Sequence, residues 1–215
     1  MLEFAAYQDA VKRSLPLPEG TDPMYLRLHV AVADSSQLLV NFDVENYLTH
    51  LVLLMGSRIS YAWVTKAVGS GSWLELGVAA PSGTRALDQM CLPYDSPSLT
   101  GFKRGFHDHL ARSASQLPPG AVGMTVCLKV GPTRNWPNLW KPVGDAMEPL
   151  LGRTNRRGAN PFDPQDDRIV DLSFHLTRSD VHDHGFTVGL AWWSYAEAPT
   201  VGEFQDHSHR ILEPS

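Results

Sequence analysis

The sequence predicts an α+β protein made of two βαββ units, with mixed sheets and with helices packed on one face. Two observations support this fold class. Segments with the apolar pattern of strands and segments with helical spacing follow one another in the same order in each half of the chain. Clusters of Gly and Pro separate these segments, as expected for turns. The length of 215 residues, 43% of them hydrophobic, allows one sizeable core or two small domains that share one.

The first half begins with residues 1–23, where the amphipathic stretch "FAAYQDAVKRSL" is ended by the prolines of "PLPEGTDP". Residues 24–81 form the first unit. "MYLRLHVAVA" predicts a buried strand, and a helical pattern runs from Asn46 to Met55 and ends at Gly56. "RISYAWVTK" and "SWLELGVAA" predict two further strands, joined by the turn-rich "AVGSGS".

The second half begins with a connector, residues 82–120, in which "GFKRGFHDHLARSASQL" predicts a helix. Residues 121–196 form the second unit. "VGMTVCLKV" predicts a strand, "NLWKPVGDAMEPLLG" a helix, and "RIVDLSFHL" and "FTVGLAWW" two more strands. Residues 197–215 form a C-terminal tail.

The two units also agree in residue type when they are aligned. This agreement favours an internal duplication, a pseudo-dimer within one chain that functions as a monomer with an approximate two-fold axis. The alternative is a chance likeness between two βαββ units. The matched pairs are Asn46 with Asn138, Leu48 with Trp140, Met55 with Met147, Arg58-Ile59 with Arg168-Ile169, and Leu74 and Leu76 with Val188 and Leu190.

Composition and terminal sequence exclude several classes of protein. The formal net charge of −5 argues against a surface covered in phosphate-binding Lys and Arg, although it allows a local basic patch. Cys91 and Cys127 form no CxxC pair, so neither a disulfide framework nor a thiolate zinc site is indicated. The N-terminus lacks a signal-peptide pattern and no apolar run could span a bilayer, which predicts a cytoplasmic protein without a membrane partner.

The stretch "NFDVENYL" places Asp43 and Glu45 one residue apart, directly before Asn46, where a strand gives way to a helix. Carboxylates at a strand end can hold a divalent metal, and Mg²⁺ prefers such oxygen ligands. Acidic residues also favour the positive end of a helix, so simple helix capping explains this pattern equally well.

A longer pattern in the second unit, "RNWPNLWKPVGDAMEPLLG" followed by "DPQDDRIVDL", resembles the RusA-type Holliday-junction resolvases. That family combines a D-x-D-N-x-x-K helix start, a helix that bears an Asp, and a D-x-x-I strand. Two early Asp residues and the late Asp bind Mg²⁺ there, and the Lys supports catalysis. Asn138, Lys141, Asp145 and Asp166 fall on matching positions, whereas Asn135 and Pro137 stand where the early carboxylates belong.

The first unit shows the complementary gap in the family pattern. Asp43 and Glu45 occupy the early acidic positions, but Thr49 replaces the Lys and Gly56 stands in place of the late Asp. The resemblance therefore implies that Asp43 and Glu45 hold Mg²⁺ in the first half, while Asp166 contributes a ligand in its own half. A site pooled from both halves is not expected, because a two-fold dimer keeps its sites apart.

The resemblance further implies branched or structured DNA as the partner, with Lys141 supporting the phosphate. Cleavage is expected to be weak or lost, which leaves open an endodeoxyribonuclease and a non-catalytic nucleic-acid or protein interaction module. Asn46 and Asn138 are candidate DNA contacts, as are the basic residues of the loop "GRTNRRGANP", which are Arg153, Arg156 and Arg157.

Three further features suggest weaker alternatives. "LLVNFDVENYL" also resembles the strand-end start of NYN/PIN-like ribonucleases, although the following strands carry no acids in the right place. The tryptophan pairs Trp136/Trp140 and Trp192/Trp193 could stack bases, but core packing is the expected role of Trp140 and of one member of the second pair. The "HDH" motifs at 107–109 and 182–184, and His207 and His209, offer zinc ligands, but surface loops explain them better.

Overall fold

The chain folds around one mixed seven-stranded sheet in an α+β arrangement. The computed structural model describes residues 20, 22–39, 43–55, 58–79, 91–132, 134, 136–154, 161–179 and 185–197. In chain order the elements are β1 (Met24–Val32), a 3₁₀ turn (Ser35–Gln37), α1 (Val44–Met55), β2 (Ile59–Val68), β3 (Trp73–Val78), β4 (Cys91–Ser96), α2 (Phe102–Ser113), β5 (Val122–Val130), α3 (Pro137–Asp145), α4 (Glu148–Leu151), a second 3₁₀ turn (Asp166–Arg168), β6 (Ile169–Arg178) and β7 (Phe186–Ser194).

The strand order in the sheet is β3-β1-β2-β6-β5-β7-β4. β1 and β2 are parallel, as are β5 and β6, and the other neighbouring strands are antiparallel. The two predicted units therefore do not build separate sheets. They join edge to edge where β2 pairs with β6, from Tyr61 opposite His175 to Thr65 opposite Asp171. We refer to this β2–β6 boundary as the seam.

The same contacts recur on both sides of the seam. Each half has a register shift at the start of its parallel pair, at Met24/Tyr25 in β1 and at Val122/Gly123 in β5. An arginine just before each second strand donates through Nε to a backbone carbonyl just before each first strand. These bonds join Arg58 to Asp22 at 3.2 Å and Arg168 to Gly120 at 2.9 Å.

Backbone hydrogen bonds at the strand ends repeat in the same way. Their donors in the first half are Gly69 and Ala79, and the corresponding donors in the second half are Ser179 and Tyr195. The bonds are Gly69 N to Val32 O at 3.0 Å, Ser179 N to Val130 O at 2.9 Å, Ala79 N to Pro23 O at 2.8 Å and Tyr195 N to Ala121 O at 3.0 Å.

The described helices pack on one face of the sheet, as predicted. Alternate residues of each inner strand point to this face because side chains of a strand alternate between its two sides. Leu26 and Leu28 of β1 and Val64 of β2 are buried there with residues from all four helices. Burial of this continuous apolar layer is the main force that holds the halves together. Among the described helices, none is long and apolar enough to cross a membrane.

The opposite face carries polar groups that cross the seam. Asp171 of β6 is only 2% exposed, and its carboxylate accepts hydrogen bonds from Trp63 Nε1 at 2.7 Å and from the Tyr195 hydroxyl at 2.8 Å. Trp63 belongs to β2, so this buried bond links the first half to the second. A buried carboxylate that is satisfied in this way fixes the pairing of the two strands.

The structure differs from the sequence prediction in three details. The connector contains β4, which pairs with β7, in addition to the predicted helix. The helix predicted over "NLWKPVGDAMEPLLG" is divided into α3 and α4. The predicted alignment of β3 with β7 was wrong by two residues. Leu74 pairs with Leu28 of β1, and the residue that pairs with the corresponding Val126 of β5 is Leu190 rather than Val188. The predicted helix within residues 1–23 and the tail beyond residue 197 lie outside the described residues.

Candidate metal centre

Three carboxylates from the two sides of the seam meet at one end of the central strands. Asp43 and Glu45 lie at the start of α1, and Asp166 lies at the start of the 3₁₀ turn that leads into β6. One carboxylate oxygen from each lies within 4.8 Å of the others. The expectation that the acids of the two halves would lie apart is therefore wrong. The physical reason is the antiparallel seam, which brings the start of β6 to the end of β2 and so to the start of α1.

Asp43 and Glu45 are held by the first turn of α1. Asp43 directly precedes the helix, and its backbone carbonyl accepts from Asn46 N at 3.1 Å. The Asn46 side chain also donates to Asp43 Oδ2 at 3.1 Å. Asn46, a predicted DNA contact, thus orients one of the acids. The positive end of α1 favours negative charge at this place.

Asp166 is positioned by the residue two places after it. The Arg168 guanidinium is 5% exposed and donates to the backbone carbonyls of Pro118, Gly120 and Leu151. These bonds fix the 3₁₀ turn against the loop before β5 and the end of α4. Asp166 is consequently presented towards α1 by a rigid turn.

The environment of the three acids disfavours three negative charges. Glu45 is 7% exposed, and no described residue donates a hydrogen bond to its Oε2. Burial, together with the charges of Asp166 and Asp43, raises the pKa of Glu45 to about 8. Burial and the charge of Asp43 raise the pKa of Asp166 to about 6. A cation placed among these groups would stabilise their ionised forms.

This donor set fits a hard divalent cation. Mg²⁺ and Mn²⁺ take carboxylate oxygens and complete their coordination with water, so three carboxylates from two chain segments are a suitable set. The buried Oε2 of Glu45 is an acceptor without a partner among the described residues. Such an acceptor is costly unless a donor or a cation satisfies it. Helix capping alone does not account for Glu45, because the side chain lies buried against the other acids.

Lys141 lies near the acids without pairing directly with them. Its side chain is 85% exposed, and Nζ donates to Asp145 Oδ1 at 3.1 Å. Its positive charge nevertheless opposes the rise in the pKa of both Glu45 and Asp166, so it lies within electrostatic range of the cluster. Asp145 also lies 3.4 Å from Lys103 Nζ. Asp145, the helix-borne Asp of the RusA-like pattern, therefore forms ion pairs with two lysines.

Sequence reasoning missed Lys66, which is fully buried in β2. It lies opposite Val30 of β1, and strand alternation places it on the same face as Ala62 and Val64. Burial lowers its pKa, and the charges of Asp167, Asp43 and Glu45 oppose that shift. The signal was present in "YAWVTK", where a lysine occupies an apolar-face position and therefore requires carboxylates nearby.

The remaining predicted residues fall outside the acidic cluster or outside the described residues. Asn138 is exposed at the start of α3. Arg153 Nε lies 3.4 Å from Glu148 Oε1, while Arg156 and Arg157 lie outside the described residues, as does Asn135. Trp136 and Trp140 are buried and contact Phe174, which excludes them as base-stacking surfaces.

Among the described residues, the histidines of the first "HDH" motif join no group of three metal-ligating side chains. His107 Nε2 lies 3.1 Å from Glu148 Oε2, and the His109 ring packs against Tyr94 and Phe106. The motif at 182–184 and the pair His207 and His209 lie outside the described residues.

Comparison with known proteins adds no assignment. No protein-family model matches the chain, and no curated protein sequence is similar enough to be a relative.

Proposed function

We propose that the protein is a Mg²⁺-dependent endodeoxyribonuclease that acts on branched or otherwise structured DNA. The observation that supports this most strongly is the meeting of Asp43, Glu45 and Asp166 within 4.8 Å. These are the three acids that the RusA-like pattern assigns to metal binding, and each half of the chain lacks what the other supplies. The geometry therefore favours a working site more than the sequence did.

We also propose that the chain is a duplicated, RusA-like pseudo-dimer. Support comes from the strand pairing, in which each half has one parallel and one antiparallel neighbour for its first strand. The matched arginine bonds of Arg58 and Arg168 point the same way. A chance likeness between two βαββ units would reproduce the order of elements but not these individual contacts.

Each residue has a distinct part in the proposed hydrolysis. Asp43, Glu45 and Asp166 would hold the divalent ion, which when bound supplies the Lewis acidity that activates water and offsets phosphate charge. Lys141 is exposed in the middle of α3, where its ammonium can contact a non-bridging phosphate oxygen. The positive charge of the buried Lys66 offsets the negative charge of Asp43 and Glu45. One water is consumed: its oxygen bonds to phosphorus, one P–O ester bond breaks, and the departing oxygen takes a proton.

Two alternatives fit the structure less well. NYN/PIN-like ribonucleases need further acids at the ends of later parallel strands, but β2 is followed by the antiparallel β3 and β6. A non-catalytic interaction module would have no reason to keep Glu45 buried beside two other carboxylates. Such a cluster is costly when no cation is bound, because burial and mutual repulsion disfavour its ionised carboxylates.

The test is cleavage of a synthetic four-way DNA junction in the presence of Mg²⁺ or Mn²⁺. We expect Asp43→Asn and Asp166→Asn to reduce cleavage equally, by about 100-fold or more, because each removes an electrostatic contribution to the same transition state. Both variants should still bind the junction in a gel-shift assay. Asp108→Asn is the matched control, since Asp108 lies on α2 with its side chain 54% exposed.

Each other outcome has a definite meaning. Junction binding by the wild-type protein without cleavage would favour the non-catalytic module. Absence of binding would contradict both functions. Cleavage that survives Asp166→Asn but not Asp43→Asn would contradict the shared site.

A further inference from the structure

We infer that this chain makes a single incision in each branched DNA that it binds, so that its product is a nicked molecule. The inference rests on the proposed function and goes beyond it, because it specifies how many strands are cut. A symmetric dimeric junction nuclease has two equivalent sites and can cut two strands. Within the part of the chain that the structure describes, one group of three acids could hold a metal ion.

The positions of the second site follow from the repeated contacts. Arg58 corresponds to Arg168 in its contacts, and in the sequence Gly56 then aligns with Asp166. The equivalence of α1 with α3 assigns the segment before α3 to the place of Asp43 and Glu45. That segment, "GPTRNWPNLW" at 131–140, contains no Asp or Glu, and neither does "LLMGSR" at 53–58. These aligned segments thus lack the three acids of a second site.

The family acids that are absent differ between the two halves, so the acids that remain can form one complete set. The remaining acids could have been distributed as two incomplete sets, as the family pattern first indicated. The antiparallel seam instead joins the start of α1 to the start of β6, so the early acids of the first half and the late acid of the second half form one complete set. The second set would lie at the other end of β2 and β6. For a strand of 10 residues that separation is about 30 Å.

The chemistry follows from the number of sites. One bound junction places one phosphodiester at the acidic cluster, and one water hydrolyses one P–O bond. The equivalent strand meets the aligned segments 53–58 and 131–140, which carry no Asp or Glu, and it therefore stays intact. The substrate class is accordingly branched DNA that needs to be opened on one strand. The nicked product must then be rejoined by a ligase, or cut by a second nuclease if its arms are to be separated completely.

A supercoiled plasmid that extrudes a cruciform distinguishes one incision from two. A single nick releases the supercoiling, the cruciform is reabsorbed and the product stays an open circle. Two incisions in one binding event give linear DNA. We expect open circles to form without linear DNA, and we expect neither product with Asp43→Asn or Asp166→Asn. Asp108→Asn should behave as the wild-type protein does.

A second readout does not depend on activity. Titration with Mn²⁺ followed by calorimetry should show one carboxylate-dependent set of sites per chain, which Asp43→Asn and Asp166→Asn each remove. Linear DNA produced as fast as open circles, or a second set of ion sites that survives both variants, would overturn the inference while leaving a nuclease in place. Absence of both ion binding and cleavage would refute the proposed function and the inference with it.

Discussion

Replacement of Glu45 by Gln should make the metal-free protein more stable at slightly alkaline pH. Glu45 is buried, and its pKa is raised from its ordinary value of 4.5 to about 8. The folded protein therefore holds a proton on this carboxyl that the unfolded chain releases. The stabilisation from that proton is complete below the unfolded pKa and is lost as the pH rises through the folded pKa. Glutamine has nearly the same shape and does not titrate.

The size of the effect follows from the two pKa values. One pKa unit corresponds to about 1.4 kcal/mol, so the wild-type free energy of unfolding should fall by at most about 4 kcal/mol between roughly pH 5 and pH 8 because of Glu45. The Glu45→Gln variant should lack this part of the decline. Added Mg²⁺ should restore stability to the wild-type protein at the upper pH, because an ion that binds only the folded state stabilises it.

The assay is urea unfolding followed by tryptophan fluorescence at several pH values, with a chelator and then with Mg²⁺. Glu197→Gln is the matched control, because Glu197 is exposed and the chemical substitution is the same. The difference between the two variants isolates the buried site. Equal pH slopes for Glu45→Gln and the wild-type protein, or an equal response to Mg²⁺, would refute the reasoning.

Two further substitutions test the residues that support the site. Lys66→Met removes a buried cation whose charge interacts with those of Asp43 and Glu45. Mn²⁺ should therefore bind about 10-fold more tightly by calorimetry, which corresponds to about 1.4 kcal/mol, and unchanged affinity would exclude this electrostatic role. Arg168→Ala leaves three backbone carbonyls without their donor, so the free energy of unfolding in urea should fall by about 3 kcal/mol. Arg168→Lys keeps the charge and should recover part of that loss, whereas equal stability of Arg168→Ala and the wild-type protein would contradict the anchoring role.

Most secondary structure could be predicted from the sequence because its signals are local. Strand β5 begins and ends where "VGMTVCLKV" predicts, and α2 lies within its predicted stretch. Strand β4 was missed because "CLPYDS" contains a proline and little alternation, and its place is decided by pairing with β7. Such pairing joins residues almost a hundred positions apart, which no local pattern encodes.

The members of the acidic site could be predicted, but their meeting could not. Asp43, Glu45 and Asp166 were each identified from motif spacing. Whether Asp166 joins the other two depends on which strands form the seam and on their direction. Lys66 was missed for a related reason, since a lysine at the end of a strand usually extends into water unless another segment covers it.

The seam between β2 and β6 also affects how this protein can change in evolution. In a dimer of identical chains every substitution occurs twice, once on each side of the symmetry axis. Here the two halves share one sheet but are encoded separately, so a substitution alters one side alone. A substitution in "RNWPN" leaves Asp43 and Glu45 untouched, so each end of the seam can change without the other. Because the two halves belong to one chain, a difference between them is encoded in the gene and can be inherited.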